Sequence, residues 1–453
     1  MILISAEEIA KHNTYQDCWI IIYDKVYNLS KFLPEHPGGV GVILEQAGKD
    51  ATLAFSTIHS QEMIHRYLPS DACLGFVDPA TVAETSKVEE RRREAIKNRP
   101  SLNEILHLYD FEAVASRILT TETWSFYNCA AGDEISYRDN HYAFLRIWLR
   151  PRIMRDVTHI DMSTKILGYY SSFPLYISAT ALGKLGHPLG EVVLTRAAHS
   201  HGIIQMIPNF ASCSLDEMTI ARKEGQIQFF QLYINKNRDI SRKVIQKAQE
   251  KGYKALVVTV DVPSVGNREK DVRMKYTGAP PGIQNEKDLN RDQGVLTPED
   301  AILAAEYGCD GIVLSNHGGR QLDFAPSAIE VLPNVIEGLK KSGLLGKIEV
   351  YIDGGIRRGS DIFKAIALGA KAVGIGRPLL YAMSSYGQAG VERALQILKD
   401  EFETVMRLSG TNMIADICPN MIDSKSLSNH SLTPKDYLSS NVYDRLVPLR
   451  SKL

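Results

Sequence analysis

The chain has 453 residues, 44% of them hydrophobic, and its 52 basic and 53 acidic side chains leave a net charge of −1. That is material for a large core and two or three domains, and the balance of charge makes no case for nucleic acid or an acidic membrane surface as a partner. Cys18, Cys73, Cys129, Cys213, Cys309 and Cys418 are scattered with no C-x-x-C pair, so neither a disulfide framework nor a zinc site is indicated and a reducing compartment fits best. With no apolar run of membrane-spanning length and no signal or transit pattern, a soluble chain is expected. Ser451-Lys452-Leu453 matches the peroxisomal address S-K-L, so a peroxisome is expected, with cytoplasm or mitochondrion as the alternatives.

Residues 1–78 read as a compact α+β unit. Asp17 to Ile22 and Lys25 to Leu29 are strand-like around a turn at Asp24. They lead to Phe32-Leu33-Pro34-Glu35-His36-Pro37-Gly38-Gly39, where proline and glycines fix the backbone around one histidine, and a helix through Val42 to Ala47 precedes a second, His59. Two neutral imidazoles facing each other across an apolar crevice would give a six-coordinate haem iron, suited to electron transfer rather than oxygen binding. H-P-G-G resembles the signature of a cytochrome b5-type haem domain. The resemblance implies haem b, with His36 and His59 as its axial ligands.

Residues 79–100, with Glu84, Lys87, Glu89, Glu90, Arg91, Arg92, Arg93 and Glu94, are mixed-charge and poor in large apolar groups, which predicts a linker or a solvated helix. Apolar positions at Ile105, Leu106, Leu108, Phe111, Val114, Ile118 and Leu119 predict a helix, and Trp124 to Glu134 leads into the larger domain. From Pro174 onward, short apolar runs alternate with helical patterns: Leu175 to Ala179, Ile203 to Ile207, Ile227 to Tyr233, Ala255 to Asp261, Gly311 to Ser315, Glu349 to Asp353 and Ala372 to Gly376. This alternation predicts an α/β domain, a TIM-type β/α barrel with about seven recognisable strands where the closed class has eight.

Polar groups recur where these runs end: Ser178 and Thr180, Gln231 and Tyr233, Thr259 and Asp261, His317 and Arg320, Asp353 with Gly354 and Gly355, Gly376 with Arg377. In a barrel those ends share one catalytic face. In Ser315-Asn316-His317-Gly318-Gly319-Arg320 the glycines admit close backbone approach, the imidazole can take a proton near neutral pH, and the guanidinium can grip a carboxylate through two bonds. Proton abstraction from a carboxylate-bearing substrate is the chemistry they suggest. Asp353-Gly354-Gly355-Ile356-Arg357 and Gly374-Ile375-Gly376-Arg377 offer glycine N–H groups and arginines on the last two strands, where barrels hold phosphate.

On these motifs, with Ser178-Ala179-Thr180-Ala181, Gln231-Leu232-Tyr233 and Thr259-Val260-Asp261, residues 101–423 resemble the FMN-dependent 2-hydroxy-acid oxidoreductases. The resemblance implies that His317 takes a substrate proton while Asp261 holds its imidazole. Arg320 and Arg268 would bind the substrate carboxylate and Tyr233 its hydroxyl. Ser178, Ala179, Thr180, Ala181, Gln231, Thr259, Asp353, Gly354, Gly355, Arg357, Gly376 and Arg377 would hold FMN. Oxidation of L-lactate or a related L-2-hydroxy acid is implied, with electrons passing through haem to a cytochrome c-like acceptor, in a homotetramer with a tail at 424–453.

Three positions depart from the family pattern. Its substrate-contacting tyrosine falls at Phe126 and a flavin-binding serine at Pro208, which can donate nothing. Between Arg268 and Thr297 the family has a strand ending in a Lys-Gly pair, whereas Lys275 to Gly294 is polar and Pro/Gly-rich and the pattern resumes at a capped helix start, Thr297-Pro298-Glu299-Asp300. Two outcomes are expected: the flanking strands pair directly, or an open seam remains that residues 269–296 cross as irregular loop.

Overall fold

The computed structural model describes residues 2–36, 39–44, 46–52, 55, 59, 61–260, 266–273 and 295–430; Asp261 and Ser451-Lys452-Leu453 lie outside them. Two compact units, Met1–Asn98 and Arg99–Leu453, are taken separately. The first is built on strands β1 (Leu3–Ile4), β2 (Trp19–Ile22), β3 (Lys25–Asn28) and β4 (Cys73–Val77), in the order β1-β4-β3-β2. β2 and β3 form a hairpin whose two turn residues, Tyr23 and Asp24, have φ of 49° and 62°, the left-handed values that match a two-residue turn to strand twist. Ile20 and Ile22 pack on one face with Tyr27, Leu29, Leu33 and Ile43, while Ile21 packs on the other with Ile9, Val26 and Val77. Burial on both faces is why this strand is an unbroken isoleucine run. The charged stretch after residue 78 takes the helical alternative, Pro79–Lys97, its first turn capped by Asp78 and tied to the body where Ala6 N–H donates to Thr81 Oγ1 at 2.9 Å.

In the second unit the predicted helix is shorter than its apolar pattern. It runs Leu108–Ile118 after a single turn at Leu102–Glu104, and Leu106 between them is exposed. The strands that follow are β5 (Trp148–Leu149), β6 (Thr164–Ile166), β7 (Tyr169–Ser171), β8 (Leu175–Ile177), β9 (Ile204–Ile207), β10 (Gln228–Leu232), β11 (Leu256–Val258), β12 (Gly311–Leu314), β13 (Glu349–Asp353), β14 (Ala372–Ile375) and β15 (Ile422–Asp423). β8 to β14 form one parallel sheet in the order β11-β10-β9-β8-β14-β13-β12. The first strand therefore pairs with the last, as in a closing barrel, and the break falls between the fourth and fifth. The interior is filled by Tyr176, Ile204, Met206, Phe229 and Tyr351, and the antiparallel hairpin β6–β7 packs Ile166, Leu167 and Tyr169 against this layer. Leu167 N–H donates to Glu349 at the start of β13, which places the hairpin under the N-terminal end of the sheet.

Of the two outcomes expected for the gap, direct pairing is not found: among the described residues β11 and β12 are not paired, and a seam separates them. Residues 269–296 are not all irregular, since Glu269–Arg273 is a short helix; 274–294 lie outside the described residues. The two edges differ. On β11, Leu256 and Val258 are 42% and 37% exposed, whereas β12 is covered by the helix Pro298–Glu306 and Leu314 makes a parallel bridge to Val295. An edge of unpaired backbone groups beside exposed valine and leucine is a stability cost that a further strand would remove. Inserting an apolar strand of about six residues before Val295 is expected to raise the melting midpoint by about 5 °C and to lower binding of a hydrophobic dye; a midpoint that stays put would show that the seam costs little.

Candidate active site and cofactor sites

Beyond Leu314 the chain turns through His317, Gly318 and Gly319 with φ of 57°, 62° and 75°. A left-handed residue with a side chain is costly, and His317 pays this for its position. The turn is held by the two residues that lead into it. His317 N–H donates to Ser315 Oγ at 2.9 Å and Gly319 N–H to Asn316 Oδ1 at 3.0 Å. A Cβ on Gly319 would lie 2.6 Å from the Tyr137 backbone, and one on Gly318 would lie 2.6 Å from an Arg377 nitrogen, so both glycines are required by close approach.

Arg320 follows at once. Its guanidinium lies over the Phe126 ring, 5.3 Å from the centroid, and donates to the carbonyls of Phe126 and Cys129 at 3.0 and 3.1 Å. The ring that lost a hydroxyl thus supports the arginine through its face and its carbonyl. Arg268 reaches the same corner: it donates to the Arg320 carbonyl at 3.1 Å and to Gln321 Oε1 at 3.0 Å. Tyr233 stacks on Phe210, centroids 5.3 Å apart, at the end of β10. His317, Arg320, Arg268 and Tyr233 all line one cavity of 2010 Å³. Asp261 is the one proposed catalytic residue whose position is not described.

The residues proposed for the cofactor line the same cavity. Gln231 donates to Thr259 Oγ1 at 2.8 Å and accepts from Asn209 N–H at 3.0 Å, which fixes its amide at the end of β10. Ser178 Oγ donates to Asp353 at 3.4 Å. Gly354 and Gly355 have φ of 89° and 82°, and a Cβ on Gly355 would meet the Asn140 carbonyl at 1.9 Å. Among the described residues, the backbone N–H groups of Gly354, Gly355, Gly376 and Arg377 find no protein acceptor, and the last two open a helix that starts at Arg377 and breaks at Tyr386 and Gly387. Such donors at a helix start are what a phosphate needs, so the cradle fits FMN. The arginine side chains are engaged elsewhere. Arg377 donates to the carbonyls of Tyr127, Gly318 and Cys129 at 2.8 to 2.9 Å and lies over the Tyr137 ring, whose hydroxyl burial pushes up to about 12. Arg357 pairs with Glu112 at 2.5 Å, both buried.

A cavity of this size exceeds the ~300–1,000 Å³ of ordinary ligand sites. Its lining explains why: it runs from His317 and Asp353 at the C-terminal ends of the strands to Lys254, Asp310 and Glu349 at their N-terminal ends, along Leu256, Val257 and Val258 of β11.

In the first unit the rings of His36 and His59 stand 6.1 Å apart, centroid to centroid. A metal bonded to one nitrogen of each at about 2.0 Å fits between them. His36 Nδ1 is 3.0 Å from the Gly39 carbonyl, which turns Nε2 into the ligating nitrogen. Phe32, Val40, Leu44, Phe55 and Leu68, half-buried around the core, supply an apolar wall for a porphyrin. The pair fits haem.

Sequence reasoning missed Asn140, whose amide contacts Asn316. It also missed Glu112 and Tyr137, and the carbonyls of Phe126, Tyr127 and Cys129 that orient two arginines.

A family model described as FMN-dependent dehydrogenase matches residues 115–291 and 293–424, and one described as cytochrome b5-like heme/steroid binding domain matches 5–78. The chain is 42% identical to L-lactate dehydrogenase (cytochrome) of Wickerhamomyces anomalus, over 98% of this chain and 84% of the relative. It is 41% identical to the protein of that name from Saccharomyces cerevisiae, over 97% and 83%. Among solved structures, the flavin-binding domain of baker's yeast flavocytochrome b2 superposes with a TM-score of 0.72 at 41% identity, covering 81% of this chain and 97% of that one.

The buried Arg357–Glu112 pair yields a stability test. Removing one partner leaves a bare charge, so Glu112→Ala is expected to cost about 3–5 kcal/mol in urea unfolding, whereas Glu112→Leu with Arg357→Met should recover most of it. Equal losses in the two would show that packing, not charge, dominates there.

Proposed function

Because the chain belongs to the FMN-dependent dehydrogenases and carries a cytochrome b5-like domain, we propose that it oxidises L-lactate or a related L-2-hydroxy acid to the 2-oxo acid and delivers the electrons to a cytochrome c-like acceptor. The carrying observation is the convergence of His317, Arg320, Arg268 and Tyr233 on the cavity that also presents the unpartnered N–H groups of Gly354, Gly355, Gly376 and Arg377. Bound FMN supplies the two-electron oxidant, and bound haem the one-electron carrier.

The chain's own groups divide the work by chemistry. Arg320 and Arg268 meet the substrate carboxylate, fixing the α-carbon near the His317 turn. Tyr233 orients the hydroxyl, and His317 takes a substrate proton, with Asp261 as its orienting carboxylate. Asp353, Gln231 and Thr259 hold the polar edge of the flavin, and the glycine N–H groups hold its phosphate. Phe126 keeps Arg320 in place by its ring, so the loss of the family's tyrosine removes one hydrogen bond to the substrate and not the aromatic platform. A homotetramer and a peroxisomal address at Ser451-Lys452-Leu453 complete the proposal, supported by the resemblance and by the motif.

A second reading rests on the open seam beside β11: a haem electron-transfer protein whose barrel holds no FMN. One visible spectrum of the full chain separates the two. The first reading expects haem and flavin bands together, with L-lactate bleaching the flavin and converting the haem bands to those of the reduced iron; haem bands with no flavin would establish the second. His36→Ala is expected to abolish the haem bands and leave the flavin, because the axial bond belongs to the first unit alone. His317→Gln is expected to slow flavin reduction by about 10²–10⁴-fold without unfolding, and parental rates in that variant would remove His317 from the mechanism. Adding the family's strand and its lysine before Val295 should raise flavin content and turnover together; no gain in either would mean that the seam is harmless to function.

A further inference from the structure

A histidine in a left-handed turn needs contacts that keep it in place. The sheet does not hold it: β12 ends at Leu314, and His317 belongs to a loop that also has to pass two glycines. The holding contact comes from the helix Ile135–Leu145. Asn140 and Asn316 face each other amide to amide, Asn140 Nδ2 donating to Asn316 Oδ1 at 2.8 Å and Asn316 Nδ2 donating to Asn140 Oδ1 at 2.9 Å. They are 1% and 4% exposed. Asn316 then uses its second acceptor site for Gly319 N–H at 3.0 Å and its second donor for the Pro326 carbonyl at 3.1 Å. Its amide is therefore fully committed: two bonds tie it to the Asn140 side chain and two fix backbone that follows His317, at Gly319 and Pro326.

Asn140 does more than complete that amide. It lines the cavity, and its carbonyl and side chain lie against Gly354 and Gly355: a Cβ on Gly354 would be 3.4 Å from its amide atoms, and one on Gly355 would be 1.9 Å from its carbonyl oxygen. The same residue thus touches the arm proposed to cradle phosphate and the turn proposed to present the base. A buried amide pair has one low-energy arrangement, because any rotation leaves donors facing donors or a polar group unmatched.

We propose that Asn140 is a positioning residue: through Asn316 it sets the place of His317 and, by its own backbone and amide, the place of Gly354 and Gly355, so that the base and the cofactor arm are registered to each other by one side chain. This rests on the reading of His317 as the base. The expected size follows from geometry, since displacement of a reacting group by about 1 Å costs on the order of a hundred-fold in rate.

The test uses the full chain loaded with haem and FMN, as the parent, Asn140→Ala, Asn316→Ala and the double variant, with Asn140→Asp added because it keeps the volume and one of the two bonds. Flavin reduction by L-lactate is expected to slow by about a hundred-fold in each alanine variant and no further in the double variant, because both break one unit. Hydrogen exchange is the readout that needs no turnover: Asn140→Ala and Asn140→Asp should both lose amide protection over Ser315–Leu322 while the helix Gly359–Ala367 keeps its own. Losses that multiply in the double variant, or parental protection over Ser315–Leu322 in both Asn140 variants, would overturn the proposal. If the parent itself is not reduced by lactate, the functional reading fails, and the exchange pattern alone decides the positioning role.

Discussion

The pairing of β8 with β14 governs the rest of the second unit. All seven strands of the sheet run parallel, and joining the first to the last bends them around a common axis so that seven C-terminal ends look into one mouth. Residues far apart in the chain, such as Ser178 and Asp353, become hydrogen-bond partners through that closure. A flat sheet with the same strands would spread these groups along a line. No local arrangement of loops would then bring a base, two arginines and a row of N–H donors to one cavity.

Much of this was legible in the sequence because parallel strands buried on both faces leave unbroken apolar runs, and the seven runs read from the chain are the seven strands found: Glu349–Asp353 as read, the run from Ile203 shortened at its start, and the other five shortened where the polar end begins. H-P-G-G and the Ser315 to Arg320 segment were legible for a different reason: glycine and proline at fixed offsets from a histidine record backbone geometry directly. The absent strand was legible too, as a polar stretch where an apolar one was due, although the sequence left open whether its neighbours would close up.

Other features left no signal of that kind. The Asn140–Asn316 amide pair spans 176 positions, and the helix that carries Asn140 mixes Tyr, Arg, Asp, Asn and His without an apolar stripe to mark its inner face. The carbonyls that orient Arg320 and Arg377 are main-chain atoms, for which any residue would serve. Glu112 reads as one more charge on an amphipathic helix until Arg357 is seen beside it. Leu106 misled in the opposite direction, because an apolar residue in helical phase with its neighbours is still exposed when the chain turns before the helix starts.

Among the described residues, the fastenings across the seam sit at one end. Val295 bridges Leu314 at the finish of β12, and Arg268 bonds to Arg320 and Gln321 above it, while exposed Leu256 lies at the start of β11. Mechanically the described residues form a tube slit between β11 and β12 and clasped at one rim. Strain in such a body is taken up at the unclasped rim, where the walls are free to splay, and the clasped rim keeps its circumference. Thermal opening of the barrel therefore starts at the hairpin end, on the far side of the interior tyrosine layer, and the rim that carries the histidine and the arginines is the last part of the slit to feel it.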